Sequence, residues 1–305
     1  MLDDGLSNPA FQATFINSTT VLITQDGSCY EQPLTYVKIY PDLLHITDTG
    51  TASPRPATPL AKAKCEPLNP PGRKRYMAIC SHAHFDHILG ISSSFYAAPP
   101  PFIVVSGNSP SFVMTDLPTH SLCKFMDVST PESTISHWMK HLEYLAHPAS
   151  LQVRCLNIPG YTPDSHAWYV IEEHHLYVGI RLPWQDAAMV FPAEGDWMNL
   201  LISFSAHENT KLAARETASS GIPFMAQQIK VGYGYVTFAG DAENMMREVK
   251  DMSVRILEGE VPVVDSFERR GLTFDFWSEG GSEYVVGAPR KLCEEARRKR
   301  GLEQR

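Results

Sequence analysis

The stretch Ser81-His82-Ala83-His84-Phe85-Asp86-His87-Ile88-Leu89-Gly90 places three imidazoles and one carboxylate within six residues. It directly follows an apolar run at residues 76–80 that has the composition of a short buried strand. Two histidines separated by one residue in a loop can point the same way, and an Asp-His pair just beyond can reach a neighbouring position. Such nitrogen and oxygen donors suit Zn²⁺. The stretch therefore predicts a functional site directly after a strand.

Strand and helix patterns alternate on both sides of this stretch. Two runs rich in Val, Ile, Thr and Tyr, residues 13–24 and 34–48, are separated by Asp26-Gly27 and predict strand, turn, strand. Further strands are predicted at residues 103–106, 153–158, 167–171 and 176–178. Apolar spacing predicts helices at 131–147, after the N-cap Asp196, and from about Asp241. This alternation predicts an α/β protein with two mixed β-sheets packed between helical layers, an αββα sandwich.

The remaining segments fit one domain over residues 1–305. Residues 52–75 contain six prolines, too many for regular structure, and are expected to form a surface excursion. The chain is expected to end in a basic helix at 288–305. Its basic cluster, Arg297 to Arg300, is flanked by Glu294, Glu295 and Glu303 and is typical of a solvated helix face.

The composition restricts the partners and the compartment. A net charge of -8 argues against nucleic-acid binding, because phosphate contacts need clustered Lys and Arg. No apolar run has the length of a membrane span, and Met1 to Gly5 lacks the features of a signal peptide. The six cysteines are scattered singly, which favours reduced thiols. We therefore expect a cytoplasmic protein with a small organic molecule as its partner, and neither nucleic acid nor membrane.

Several segments together resemble the metallo-β-lactamase superfamily. Residues 82–87 match its H-x-H-x-D-H signature, and Asp48-Thr49-Gly50 resembles its upstream D-T-G turn. Residues 158–165 resemble its G-H-T-P-D-S loop, residues 176–180 its strand ending in V-G-D, and residues 234–237 its G-H-V-T segment. The resemblance covers most of the chain and implies the αββα fold, with a structural role for Asp48 and Thr49 beneath the site.

The sequence departs from that family at the later metal ligands. Of the seven side chains that hold two metals in the family, it keeps the first four, His82, His84, Asp86 and His87. The third histidine is replaced by Tyr161, the bridging aspartate by Ile180 and the last histidine by Tyr235. A catalytic zinc normally has three protein ligands and a water, and each half-site here keeps two. We therefore expect no metal cofactor. The alternative is zinc, iron or manganese at the four retained residues, completed by Tyr161, Tyr235, His166 or Asp241.

Without a metal-activated water, the site has histidine bases, a carboxylate and two phenols. The predicted catalytic residues are His82, His84, Asp86, His87, Tyr161 and Tyr235. They suit acid-base chemistry on a small organic substrate. We expect an enzyme of lyase, isomerase or cyclase type that acts in specialised metabolism. One alternative is a metal-dependent hydrolase of thioesters, lactones or esters with tyrosine ligands. Another is a non-catalytic binding protein in which the tyrosines fill the space of the metals. Aromatic residues suggest an apolar or aromatic ligand: Phe85, Phe95, Tyr96, Trp168, Trp184 and Trp277.

Overall fold

The computed structural model describes residues 11–25, 33–51, 65, 67–69, 73–91, 102–146, 152–171, 175–179, 188–205, 228–231, 242–280 and 284–302. Structural statements below concern these residues. Most of the predicted surface excursion at 52–75 lies outside them.

Seven strands form the first sheet, in the order in which they follow one another along the chain. They are β1 (Phe11–Phe15), β2 (Thr20–Gln25), β3 (Leu34–Ile39), β4 (Leu43–Thr47), β5 (Arg75–Ile79), β6 (Phe102–Ser106) and β7 (His137–Met139). The strands pair antiparallel from β1 to β4 and parallel from β4 to β7. Each of the two opening runs forms a hairpin. In the first, the Asn17 side chain accepts from the Thr19 backbone N–H at 2.9 Å, a local turn that reverses the chain.

The other described strands form two further mixed sheets. The order of one is β13 (Gln228–Val231), β11 (His175–Val178), β10 (His166–Val170), β9 (Gln152–Asn157) and β8 (Tyr144–Ala146). The order of the other is β12 (Ala188–Val190), β16 (Val285–Pro289), β15 (Leu272–Ser278) and β14 (Val263–Arg269). The α/β class is confirmed, but the described strands make three hydrogen-bonded sheets where the sequence predicts two.

Short helices precede long ones along the chain. They are α1 (Phe85–Ile88), α2 (Pro110–Thr115), α3 (Leu117–His120), α4 (Cys123–Met126), α5 (residues 197–205), α6 (Ala242–Glu258) and α7 (Arg290–Lys299). The predicted cap of α5 is present, because the Asp196 side chain accepts from the Asn199 N–H at 3.0 Å. The predicted C-terminal helix is α7. No helix in the described part of the chain is long and apolar enough to cross a bilayer.

The predicted helix at 131–147 is wrong, because this segment crosses between two sheets. Trp138 pairs with Val105 at the edge of the first sheet, and Leu145 pairs with Val153 in the second. Leu142 between them has a φ of 61°, which breaks any helix. The apolar spacing reflects burial on two separate sheets: the open edges of β6 and β9 both need backbone partners, and β7 and β8 supply them.

One hydrophobic core joins the three sheets to α5, α6 and α7. Its buried side chains run from Leu22 in β2 to Ala296 in α7, and include Trp168, Trp197 and Trp277. The five cysteines that the structure describes are buried and free. In β5, Ala78 and Ile79 are fully buried. The strand that leads into the histidine-rich stretch is therefore held firmly within the interior.

Candidate active site

Two parallel strands bring Asp48 and Ser81 together. Thr47 at the end of β4 is in register with Ile79 at the end of β5, so the residues that follow them meet at one sheet edge. Asp48 turns into the left-handed region with a φ of 53°. Its carboxylate accepts from the Ser81 backbone N–H at 2.7 Å and from the Ser81 hydroxyl at 3.0 Å. These contacts fix the start of residues 81–90, which we call the histidine-rich loop.

His87 is held between two carboxylates. Its Nδ1 lies 2.8 Å from Asp48 Oδ2, and its Nε2 lies 3.2 Å from Asp86 Oδ2. Burial lowers the pKa of His87, but the charges of Asp86 and Asp48 outweigh burial and hold that pKa well above its usual value. With both nitrogens facing carboxylates, His87 is a buried imidazolium.

The turn after β4 also holds the far end of the histidine-rich loop. Thr49 donates to the His87 carbonyl from its backbone N–H at 2.8 Å and from its hydroxyl at 2.9 Å. Gly90 packs so closely on this turn that an added Cβ would lie 2.2 Å from the Thr49 carbonyl oxygen. The predicted structural role of Asp48 and Thr49 agrees with these contacts.

His82 and His84 form an aromatic cluster with Tyr161. The Tyr161 ring centroid lies 5.2 Å from that of His82 and 5.6 Å from that of His84, edge to face in both cases. Burial, followed by the nearby His87, lowers the pKa of His82 well below its usual value. Burial likewise lowers the pKa of His84 to about 4. Both rings are therefore neutral at neutral pH, and their Nε2 atoms have no hydrogen-bond partner among the described residues.

The loop that carries Tyr161 is tied to the histidine-rich loop through Asp164. The Asp164 carboxylate accepts from the Thr162 hydroxyl at 2.7 Å and also from the backbone N–H of Ala83. Burial raises the pKa of Asp164 to about 6. Gly160 permits the approach of this loop to α5, because an added Cβ would lie 2.4 Å from the Leu200 backbone nitrogen. Asp164 and Gly160 thus position Tyr161 relative to His82 and His84.

Four of the site residues, His84, Asp86, His87 and Tyr161, line a cavity of about 740 Å³. Its lining also includes the aromatic residues Phe85, Phe125, Phe191, Phe267, Phe274 and Phe276. The charged residues Glu194, Arg269 and Arg270 also line the cavity. Its size and its mixed lining suit a small organic ligand with an apolar part.

The described donors do not fit a two-metal centre. No group of three His, Cys, Asp or Glu side chains in the described part of the chain is arranged to hold a metal. Asp86 and His87, which the family resemblance assigns to the second metal, contact each other instead. His166 is buried in β10, with its ring 5.6 Å from that of Trp168. The replacements Ile180 and Tyr235, and Asp241, lie outside the described residues.

The structure therefore brings five predicted site residues together: His82, His84, Asp86, His87 and Tyr161. Of the aromatic residues named from the sequence, Phe85 lines the cavity, whereas Trp168 and Trp277 belong to the core. Phe95, Tyr96 and Trp184 lie outside the described residues.

Three contributors were missed from the sequence: Ser81, Asp164 and Arg270. A signal for the last was present. Arg270-Gly271 separates two alternating runs, residues 263–269 and 272–278, which is the pattern of a hairpin with a two-residue turn.

Comparison with known proteins adds one sequence relative and several structural ones. No protein-family profile matches the chain. The chain is 26% identical over 317 residues to "Putative transcription factor avaE" of Aspergillus versicolor, a match that covers 97% of this chain and 91% of that protein. A metallo-β-lactamase from Pontibacter korlensis aligns with a TM-score of 0.57 at 12% identity, over 80% of this chain and 99% of that one. The FIM-1 enzyme of Pseudomonas aeruginosa, in its mono-zinc form, aligns with a TM-score of 0.56 at 16% identity, over 83% and 99%. At such identities the likeness establishes the fold alone.

Proposed function

We propose that this chain, which has the metallo-β-lactamase fold, is an enzyme that moves protons on a small organic substrate. His84 would act as the base, and Tyr161 would act as the acid or as a hydrogen-bond donor to a developing oxyanion. The observation that carries this proposal is the placement of a neutral, buried His84 beside Tyr161, 5.6 Å between ring centroids, in the lining of one cavity.

The electrostatics of the site support this division of roles. His84 starts neutral, which a base requires, and the nearby Asp86 charge favours its protonated form. A substrate that becomes anionic beside the ring would stabilise the new imidazolium further. His87 is already protonated between Asp48 and Asp86 and so serves as a fixed positive charge. Enolisation, dehydration, ring closure and decarboxylation all need such proton transfer, and correspond to isomerase, lyase or cyclase activity.

A metal-dependent hydrolase is the alternative suggested by the fold. The unpartnered Nε2 atoms of His82 and His84 are the feature that favours it, because they are available lone pairs. Tyr161 would then have to ligate as a phenolate, although a free phenol has a pKa near ~10. The pairing of His87 with Asp86 leaves the second metal position without free donors among the described residues. This balance of donors favours the acid-base reading.

A non-catalytic role is the third reading, and the Aspergillus versicolor relative carries the name of a transcription factor. The basic residues of α7 offer little to DNA, because most are engaged within the protein. Arg297 donates to the backbone carbonyls of Ile256 and Leu257, and Lys299 pairs with Asp196 at 2.8 Å. Together with the net charge of -8, these pairings favour a small-molecule site over a nucleic-acid surface.

Deuterium exchange tests the proposal without knowledge of the natural substrate. Wild-type protein in D₂O with EDTA is incubated with phenylpyruvate, 4-phenyl-2-oxobutanoate and benzoylacetone, and loss of the acidic C–H signals is followed by NMR. We expect at least one probe to exchange faster with the protein than in the same buffer without it. His84→Gln and Tyr161→Phe should each slow it by about a hundredfold or more, the usual contribution of a proton-transfer group.

The controls separate the three readings. The exposed variant Asp251→Asn should exchange at the wild-type rate, and thermal melts should show that all variants fold. Elemental analysis should find no stoichiometric zinc. Tightly bound zinc with EDTA-sensitive ester or thioester hydrolysis would establish the hydrolase. Equal exchange by wild type and His84→Gln with every probe would contradict the acid-base proposal.

A further inference from the structure

A hairpin that lines the cavity has two arginines at its turn. Strands β14 and β15 pair antiparallel up to Arg269 and Leu272, so Arg270 and Gly271 form a two-residue turn. Both turn residues lie in the left-handed region, with φ values of 53° and 73°. This is the turn geometry that matches the twist of a hairpin, and glycine adopts it without strain. The turn therefore holds the Arg270 backbone in a defined place.

The same hairpin supplies several of the aromatic residues that line the cavity. Phe267, Leu272, Phe274 and Phe276 all line it. The ring of Phe267 stacks on those of Phe274 and Phe276, with centroids 5.6 and 5.4 Å apart. An apolar or aromatic part of a ligand would rest against these rings, and Arg270 lines the same cavity.

The Arg270 guanidinium is positioned but not neutralised. Its central carbon lies 4.2 Å from the centroid of the Phe125 ring, a cation–π contact that orients the planar group. None of the described carboxylates forms an ion pair with it, whereas Arg255 and Arg290 each have one. Burial, followed by the adjacent Arg269, lowers the pKa of Arg270, and the charge of the nearby Glu194 carboxylate offsets this only in part. Its donors are therefore available to an anion.

We infer that Arg270 binds an acidic group of the ligand, so that the substrate is an aromatic or apolar acid held in the cavity. A carboxylate matches the two parallel N–H donors of a guanidinium, and a phosphate offers the same chemistry. The ring of the ligand packs on Phe267 and Phe274, and its reacting part lies beside His84 and Tyr161. The placement of the reacting part rests on the proposed function, whereas the anion site rests on the hairpin turn and on the Phe125 contact.

Ligand binding measured by calorimetry tests the anion site without any turnover. The probes are 2-naphthoate, 2-naphthyl phosphate and the uncharged 2-naphthalenemethanol, which share one ring system. We expect the wild type to bind at least one of the two anions about tenfold or more tightly than the alcohol. Arg270→Met should remove that preference and leave the affinity for the alcohol unchanged, and Arg270→Lys should restore part of it. Comparison of the two anions identifies whether carboxylate or phosphate is preferred.

Lys291→Met is the matched control. Lys291 is exposed on α7, so this substitution removes the same charge at a position away from the cavity. It should bind all three probes as the wild type does. Equal affinity for anions and alcohol, an unchanged anion preference in Arg270→Met, or no saturable binding of either anion would overturn the inference. Tyr161→Phe and His84→Gln should keep the anion preference, so loss of proton transfer and loss of anion binding are separate results.

Discussion

The Nδ1 atom of His87 lies 2.8 Å from Oδ2 of Asp48, in a fully buried ion pair between the histidine-rich loop and the turn after β4. Asp86 closes the other side of the same ring at 3.2 Å. Two carboxylates and one imidazolium leave a net charge of -1 in the interior. Such a group holds its shape only while each member keeps its partners, because an unpaired buried charge is costly.

Replacing Asp48 by Asn should destabilise the protein by about 3 kcal/mol, because it leaves the His87 imidazolium with one carboxylate in a buried site. The free energy of unfolding is measured by urea titration at pH 7.5. The exposed Asp251→Asn on α6 makes the same chemical change and should stay within about 0.5 kcal/mol of the wild type. A wild-type stability for Asp48→Asn would show that His87 does not depend on this pair.

Gly179 at the end of β11 admits no side chain, because an added Cβ would lie 1.7 Å from the Ser81 hydroxyl oxygen and 2.1 Å from its Cβ. Gly179→Ala should therefore cost about 3 kcal/mol, through overpacking and loss of the Ser81 contacts. Ser81→Gly removes both obstructing atoms. The double variant should be more stable than the sum of the two single changes in a double-mutant cycle. Strict additivity would rule out a direct clash.

Acid should weaken the protein through the buried imidazole of His166. Burial lowers the pKa of His166 to about 4, so the unfolded chain takes up the proton first as the pH falls below the usual value near ~6.5. The stability gained from the neutral folded ring is present above pH ~6.5 and is lost as the pH falls toward 4. Between pH 7.5 and 4.5, wild type should lose about 2 kcal/mol more than His166→Gln. Parallel urea midpoints across that range would contradict this.

Asp164 should act with the opposite sign. Its pKa is raised to about 6 by burial, so its contribution to stability is full below the ordinary carboxyl pKa and is lost as the pH rises through 6. Asp164→Asn removes this loss. The variant should therefore gain about 2 kcal/mol more than the wild type between pH 4.5 and 7.5. Its absolute stability also reflects the lost bonds to Thr162 and Ala83, so the pH slope is the relevant quantity.

The site was predictable from the sequence where the residues are local. His82, His84, Asp86 and His87 follow one strand, and a single loop places them together. Tyr161 was placed beside them only through the family resemblance, and the structure puts its ring there. The chemical roles of these residues, and the participation of Tyr235, remain predictions.

Other features depend on contacts between distant segments. The apolar residues within 131–147 have the spacing of a helix. The segment instead forms two strands, because β7 pairs with the open edge of β6 and β8 pairs with the open edge of β9. The hydrogen bond from the Ala83 backbone N–H to the Asp164 carboxylate joins residues far apart in the chain, and no local pattern encodes it. Arg270 sits in a recognisable turn, but the fold alone decides that this turn faces the cavity.

The edge-to-face packing of Tyr161 on both His82 and His84 has a stereochemical consequence. The proposed base His84 and the proposed acid Tyr161 are neighbours in the cavity lining, so a proton would leave and return across the same face of a planar intermediate. A ligand anchored at its acidic end cannot turn over between the two steps. We therefore expect any new stereocentre to form as a single enantiomer, which chiral chromatography of the product would reveal.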